Sequence, residues 1–329
     1  MKILKTVLAA TVGATIAFSA SVSAETAANF PTKPVRIVIP YSVGGVTDLI
    51  GRALAERLSK TWGQSVIIES KPGASEAIAA AAVAAAPADG HTLLLASDAT
   101  YITNGILRKG LLYDPKEDFE PITRLAEGFG FLVIRPDLPV RNLKELLDLA
   151  QSRAGEVTFG SEAVGSPSEF RMRILGGLSG GYKMNHIPYN GMSPILVDLL
   201  GGRIDAAWLP PHMGEPQIKA GKVIGIATNG PERNWLIPSI PTMVEQGYEG
   251  ADLTFKLMLA APAGTPKPIV QKLAKDVIFI MKDPEFNEKV LRANGYMATP
   301  NGPEEFQRYL DTARPALAKV AKEAGFEPK

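Results

Sequence analysis

The chain has 329 residues, 46% hydrophobic and 21% charged, a composition too apolar and too weakly charged for disorder. Thirty-five Lys and Arg against 34 Asp and Glu leave a formal charge of +1, without the basic excess that a nucleic-acid partner normally needs. There is no cysteine, so disulfides, thiolate metal sites and Cys nucleophiles are excluded, while the length allows two domains.

The first elements belong to an export signal. Lys2 and Lys5 make a positive start, Val7 to Phe18 an apolar run, and Val22-Ser23-Ala24 a small-residue cleavage site. The run is about a dozen residues, short of the ~20 that a spanning helix needs. Cleavage after Ala24 removes two lysines and turns the formal charge to −1.

Beyond it, Val35–Ile39 reads as a buried strand ended by Pro40. A glycine-containing loop, Tyr41 to Thr47, leads into a helix over about 48–60. Val66–Glu69 is a second strand, Ala74–Ala86 an alanine-rich helix and Thr92–Ala96 a third strand. This β-α-β-α-β order implies a parallel sheet with helices on its faces. The rhythm continues with strand 131–134, a helix opened by the capping pair Asn142 and Glu145, and strand 157–159. Then come helix 167–175, strand 186–188, helix 194–200, strand 204–208, a short helix near 216–220 and strand 223–228. Strand 255–260 and two long amphipathic helices, 266–281 and 303–324, close the chain. The pattern reads as two α/β lobes, with 131–134 and 255–260 as the crossovers between them.

Two loops suit an anion. In the first, Gly44 and Gly45 let backbone N–H groups approach a ligand at the carboxyl end of a strand, and the following helix adds unpaired N–H groups. A tight structural turn explains the same glycines equally well. In the second, Gly160 to Ser166, Ser166 is the expected N-cap, Pro167 the first helical residue and Glu169 the third. One such pole per lobe, facing a shared cleft, suits a carboxylate at each end of a small ligand without any arginine, and hinge closure would bury it.

Catalytic patterns lack their context. Gly177-Leu178-Ser179-Gly180-Gly181 has G-x-S-x-G spacing but follows a helix, so it reads as a helix C-cap. No nucleotide fingerprint and no H-E-x-x-H helix occurs, so no catalytic residue, cofactor or metal is expected. His91 and His186 read as structural, and His212 as a candidate for the cleft border. Asp48, Asp98 and Glu162 are acids near the loops, with nothing to fix them close together.

An ordered set of motifs carries a resemblance. It includes Pro40-Tyr41-Ser42-Val43-Gly44-Gly45-Val46-Thr47-Asp48, Lys71-Pro72-Gly73-Ala74 and Asp89-Gly90-His91-Thr92-Leu93-Leu94. Ile187-Pro188-Tyr189-Asn190-Gly191, Leu200-Gly201-Gly202-Arg203-Ile204-Asp205 and Pro241-Thr242-Met243-Val244-Glu245-Gln246-Gly247 follow. Together they resemble the periplasmic solute receptors of tripartite tricarboxylate transporters, the Bug family. The resemblance implies a two-lobed type II periplasmic binding protein fold, each lobe a mostly parallel sheet flanked by helices. It divides the chain into a signal peptide (1–24), a first lobe (25–130 with 254–329) and a second lobe (131–253). It implies a non-catalytic, cofactor-free and monomeric receptor. Its ligand would be a small carboxylate (a di- or tricarboxylate, an amino acid or an aromatic acid), passed to the permease subunits of a transporter. A sensor protein as the recipient, or an exported hydrolase, are the alternatives.

The candidate ligand-binding residues are Tyr41, Ser42, Val43, Gly44, Gly45, Val46, Thr47 and Asp48, then Ser161, Glu162, Gly165, Ser166 and Pro167. Ser97, Asp98, Thr100, Tyr189, Asn190, Gly191, Asp205 and His212 complete the set. Departures from the family pattern are Val43 for proline, Ser75-Glu76-Ala77 for Gly-Gly-Asn, and Ala163 for glycine. Glu162 adds a negative charge beside the second pole, which points to a ligand with one firmly held carboxylate and an amino or hydroxyl group.

Overall fold

The computed structural model describes residues 29–162, 166–181, 183–189, 191–249, 254–323 and 326. The expected signal peptide lies outside the described residues. In the first half, β1 (Val35–Ile39), β2 (Val66–Ser70) and β3 (Thr92–Ser97) alternate with α1 (Val46–Trp62) and α2 (Ala77–Ala84). β1 pairs in parallel with both β2 and β3. β3 is buried along its whole length, which is why it reads as an uninterrupted apolar run. α3 (Asn104–Leu107) and β4 (Phe119–Gly128) follow.

The second half holds β5 (Phe131–Ile134), α4 (Leu143–Ser152), β6 (Thr158–Ser161), α5 (Pro167–Leu178), β7 (Asn185–Pro188) and α6 (Met192–Leu200). It continues with β8 (Ala206–Leu209), α7 (Pro211–Lys219) and β9 (Ile224–Thr228). The chain then returns through β10 (Phe255–Pro262), α8 (Lys267–Met281), α9 (Pro284–Phe286), β11 (Tyr296–Ala298) and α10 (Pro303–Glu323). Two sheets result, ordered β11-β4-β10-β3-β1-β2 and β7-β6-β8-β5-β9. In each, the strand reached by crossing from the other half is antiparallel to its neighbours: β10 between β3 and β4, β5 between β8 and β9.

Several elements differ from their expected form. β4 escapes the sequence pattern because Glu120, Pro121, Arg124 and Glu127 interrupt its apolar residues, yet it lies between β10 and β11. β11 is too short to show a period. The alanine-rich helix is regular only over Ala77–Ala84, because Ala74, Ser75 and Glu76 all take positive φ. α7 starts at Pro211, earlier than expected, and carries Pro216 inside it. The Gly177–Gly181 stretch does close a helix: the Gly181 N–H donates to the Gly176 carbonyl at 2.7 Å.

Apolar clusters cover the faces of both sheets. α10 serves two of them: Phe306 and Leu310 are buried with Tyr101 and Phe119 of the first lobe. Leu317, Val320 and Ala321 pack with Phe170 and Leu175 of the second. Phe326 extends this contact, its ring 5.2 Å from that of Phe170. The sequence reading places this segment with the first lobe alone.

Asp205 marks the amino end of the second sheet. Its carboxylate accepts from the Thr158 N–H at 2.7 Å, the Thr158 hydroxyl at 2.8 Å and Arg135 Nε at 2.6 Å. Burial opposes ionisation, but these donors and Arg135 hold its carboxyl below the usual value. A lowered carboxyl stabilises the fold above its unfolded pKa and loses that contribution as pH falls. Asp205→Asn should therefore cost about 1–3 kcal/mol in urea unfolding at neutral pH. The gap should close below about pH 3.9.

Candidate functional site

The first pole forms at the carboxyl ends of β1 and β3. Gly44 has φ +90° with open space where a Cβ would stand, so the backbone conformation, not crowding, selects glycine. Ser42 and Val43 are exposed, and Gly45 caps α1 with extended backbone and no side-chain bond. The first intrahelical bond runs from the Leu49 N–H to the Gly45 carbonyl, at 3.0 Å. The N–H groups of Val46, Thr47 and Asp48 thus have no carbonyl one turn back. Asp48 folds toward the loop, accepting from the Gly44 N–H at 3.0 Å while pairing with Arg52 at 2.9 Å.

Beneath this loop sits a buried carboxylate that sequence reasoning did not place. Glu76 Oε1 accepts from the Tyr41 hydroxyl and from Ser97 Oγ, the latter at 2.5 Å. Oε2 accepts from Thr100 Oγ1 at 2.6 Å and from the Ser97 N–H at 3.2 Å. Ser97 Oγ itself accepts from the Ala99 N–H, which leaves its proton for Glu76. Burial raises the Glu76 carboxyl against the lowering effect of these donors, and burial with the Glu76 charge also raises the Tyr41 phenol. The turn that carries Glu76 has φ values of +48°, +49° and +78° at Ala74, Ser75 and Glu76. Such conformations cost about 1–2 kcal/mol per residue outside glycine. Asn104 Nδ2 and Arg108 Nη2 hold the turn through the Ser75 carbonyl and hydroxyl, at 2.7 and 2.5 Å.

The second pole lies at the carboxyl end of β6. Ser166 Oγ accepts from the Glu169 N–H at 3.3 Å, and Pro167 is the first helical residue, as expected. The Glu169 carboxylate pairs with Arg173 at 2.7 Å and lies 3.4 Å from His186 Nδ1. His186 Nε2 is 2.6 Å from Ser161 Oγ. His186 thus belongs to the wall of this pole, brought there by the parallel register that sets Phe159 beside it. Ala163, Gly165 and Asn190 lie outside the described residues.

A charged cluster surrounds Arg171. Arg171, one turn into α5, is 8% exposed, with its guanidinium 5.6 Å from the centre of the Trp208 ring. Burial lowers its pKa, and the charges of Glu162 and Asp98 oppose that shift. Asp98, beyond β3, is raised by burial against the pull of Lys256 and Arg171. Asp98 Oδ1 and Glu162 Oε2 are buried without a hydrogen-bond partner. Hydrogen bonds join Tyr41, Glu76 and Ser97, Asp98 follows Ser97 in the chain, and the charges of Asp98 and Glu162 act on Arg171. The sequence reading needs no arginine at the two poles; Arg171 is a further buried charge in α5, and its burial depends on tertiary packing.

Other candidates stand apart. Asp205 lies at the opposite end of its sheet from Ser161. The Tyr189 hydroxyl donates to Asp198 of α6 at 2.8 Å, and burial raises its pKa to about 12. The Gly191 N–H donates to the Glu162 carbonyl at 3.3 Å, which fixes the loop backbone. His212 is exposed in the first turn of α7. Among the described residues, no group of three or more His, Cys, Asp or Glu could hold a metal ion.

Residues 50–321 match the family described as the tripartite tricarboxylate transporter family receptor. The chain belongs to that family. It is 35% identical over 303 residues to the UPF0065 protein in the TAR-I ttuE-ttuC′ intergenic region of Agrobacterium vitis, covering 90% of this chain and 86% of that one. A solved R. palustris protein with adipate superposes with a TM-score of 0.83 at 31% identity, over 91% of this chain and 100% of the other. MatC from Rhodopseudomonas palustris with bound malate gives 0.78 at 28% identity, over 88% and 99%. The family and the two-lobed fold are those expected from the sequence. Tripartite tricarboxylate receptors are periplasmic solute-binding proteins, not enzymes.

The receptor's charge cluster has a pH signature. A carboxyl raised by burial favours the fold while it is protonated, and its contribution is lost as pH rises through the folded value. Asp98→Asn escapes that loss. In denaturant titrations the Asn variant should gain on the parent as pH rises above about 3.9.

Proposed function

We propose that the protein captures a small carboxylate between its lobes. It does so in the periplasm, after removal of residues 1–24, and as a monomer delivers the solute to the permease subunits of a tripartite tricarboxylate-type transporter. The observation that carries this reading is the pair of helix N-termini, α1 behind Gly45 and α5 behind Ser166. The charges of Asp98 and Glu162 both act on Arg171 in α5. N–H groups at a helix start stabilise an anion by direct hydrogen bonding and by the helix dipole. Arg171 adds a buried positive charge whose burial strengthens its attraction for a carboxylate. Relatives solved with adipate and malate support a carboxylate as ligand.

A panel of aliphatic, amino and aromatic acids in a thermal-shift assay tests this. A ligand at a hundred times its Kd adds about 2.7 kcal/mol to the stability of the native state. Gly45→Ala makes the test specific to the first pole. Gly45 has φ −78°, and an added Cβ would meet only the Ser42 carbonyl oxygen, at 3.6 Å. The variant should fold and lose at least tenfold in affinity, because the methyl stands where the ligand approaches the N–H groups. Product accumulating from a bound acid would defeat the receptor reading.

A further inference from the structure

Glu76 is a carboxylate bound by its own protein. Four neutral donors converge on it: the Tyr41 hydroxyl, the Ser97 hydroxyl and N–H, and the Thr100 hydroxyl. Among the described residues, no Lys, Arg or His forms a hydrogen bond or ion pair with it. Such a cradle of hydroxyl and N–H donors is what a receptor builds for the carboxylate of a solute. It stands at the carboxyl ends of β1 and β3, where open α/β sheets hold ligands. The side chain is 7% exposed, and it reaches the cradle only from a left-handed backbone that an L-residue resists. Strain of this kind, held by bonds to Asn104 and Arg108, collects at ligand clamps.

The neighbouring acids point the same way. Asp98 Oδ1 and Glu162 Oε2 are buried acceptors without a hydrogen-bond partner, and the charges of both acids act on Arg171. Two such oxygens favour a ligand that brings a donor over one that brings a second anion.

We propose that Glu76 is a specificity-determining residue: it occupies the first lobe's carboxylate cradle and so restricts the receptor to acids with a single carboxylate and a donor-bearing far end. This rests on the cleft being a carboxylate site. A dicarboxylate would bring its second charge against a cradle already full and against Asp98, whereas an amide, hydroxyl or ammonium would supply the missing donors.

Matched pairs that differ only at the far end test it: succinate with succinamate, glutarate with its monoamide, adipate with adipamate. Isothermal titration of the full chain should show the monoamide bound at least tenfold more tightly in the pair whose length fits. Glu76→Gly suits the positive φ and empties the cradle, and it should remove or reverse that preference through a gain of at least tenfold for the diacid. Should the Gly variant not fold, Glu76→Gln, which removes the charge with little change of volume, should narrow the preference in the same direction. Equal binding of both members by the parent, or an unchanged preference in a folded variant, overturns the role of Glu76 while leaving the carboxylate site standing. Failure of every acid to bind parent and variants overturns both.

Discussion

Buried charge at the junction of the lobes governs the rest of the molecule. Arg171 is buried, the charges of Asp98 and Glu162 act on its ionisation, and its own charge acts on that of Asp98. A lone charge in such a place is strongly unfavourable, so each depends on the others being present. Those three residues come from the end of β3, the end of β6 and the second turn of α5. Their mutual dependence therefore fixes how the sheets must face each other. The arrangement is incomplete as it stands, because two carboxylate oxygens have no donors.

The two poles solve anion recognition in different ways. On the first lobe the donors near Tyr41 are neutral hydroxyls and N–H groups, already engaged by Glu76. On the second, a helix N-terminus is backed by a guanidinium stacked near Trp208 and by the Ser161–His186–Glu169 contacts. The lobes are therefore not interchangeable halves, despite their similar strand plans. The donors left over on the first lobe are the N–H groups at the start of α1.

Much of this architecture is legible in the residues themselves. Apolar runs announce β1, β3 and β5, while Asn142 with Glu145 and Ser166 with Glu169 announce helix starts that the backbone adopts. What escapes depends on distance. β4 hides because its buried positions are interleaved with Pro121 and charged residues that only its neighbours in the sheet accommodate. His186 reads as structural until the register of β6 and β7 sets it beside Phe159, with its ring reaching Ser161 Oγ. Glu76 shows in the sequence only as a departure from the family pattern, since an alanine-rich stretch predicts a right-handed helix where the chain turns left-handed. Asp205 differs in the opposite sense: a residue of a family motif anchors Thr158 at the end of the strands away from Ser161.

The final helix adds a mechanical consequence. It begins against Phe119 and Tyr101 of one lobe and, past Pro315, packs Ala321 with Phe170 of the other, where the Phe326 ring also sits. Pro315 supplies no N–H to the helix at the point where it passes between the two attachments. Any separation of the lobes must flex the helix there or pull the Phe326 ring from its seat. The molecule thus carries a spring in parallel with its two crossover strands. Since Phe170 lies one turn from Ser166, that tie reaches the start of α5.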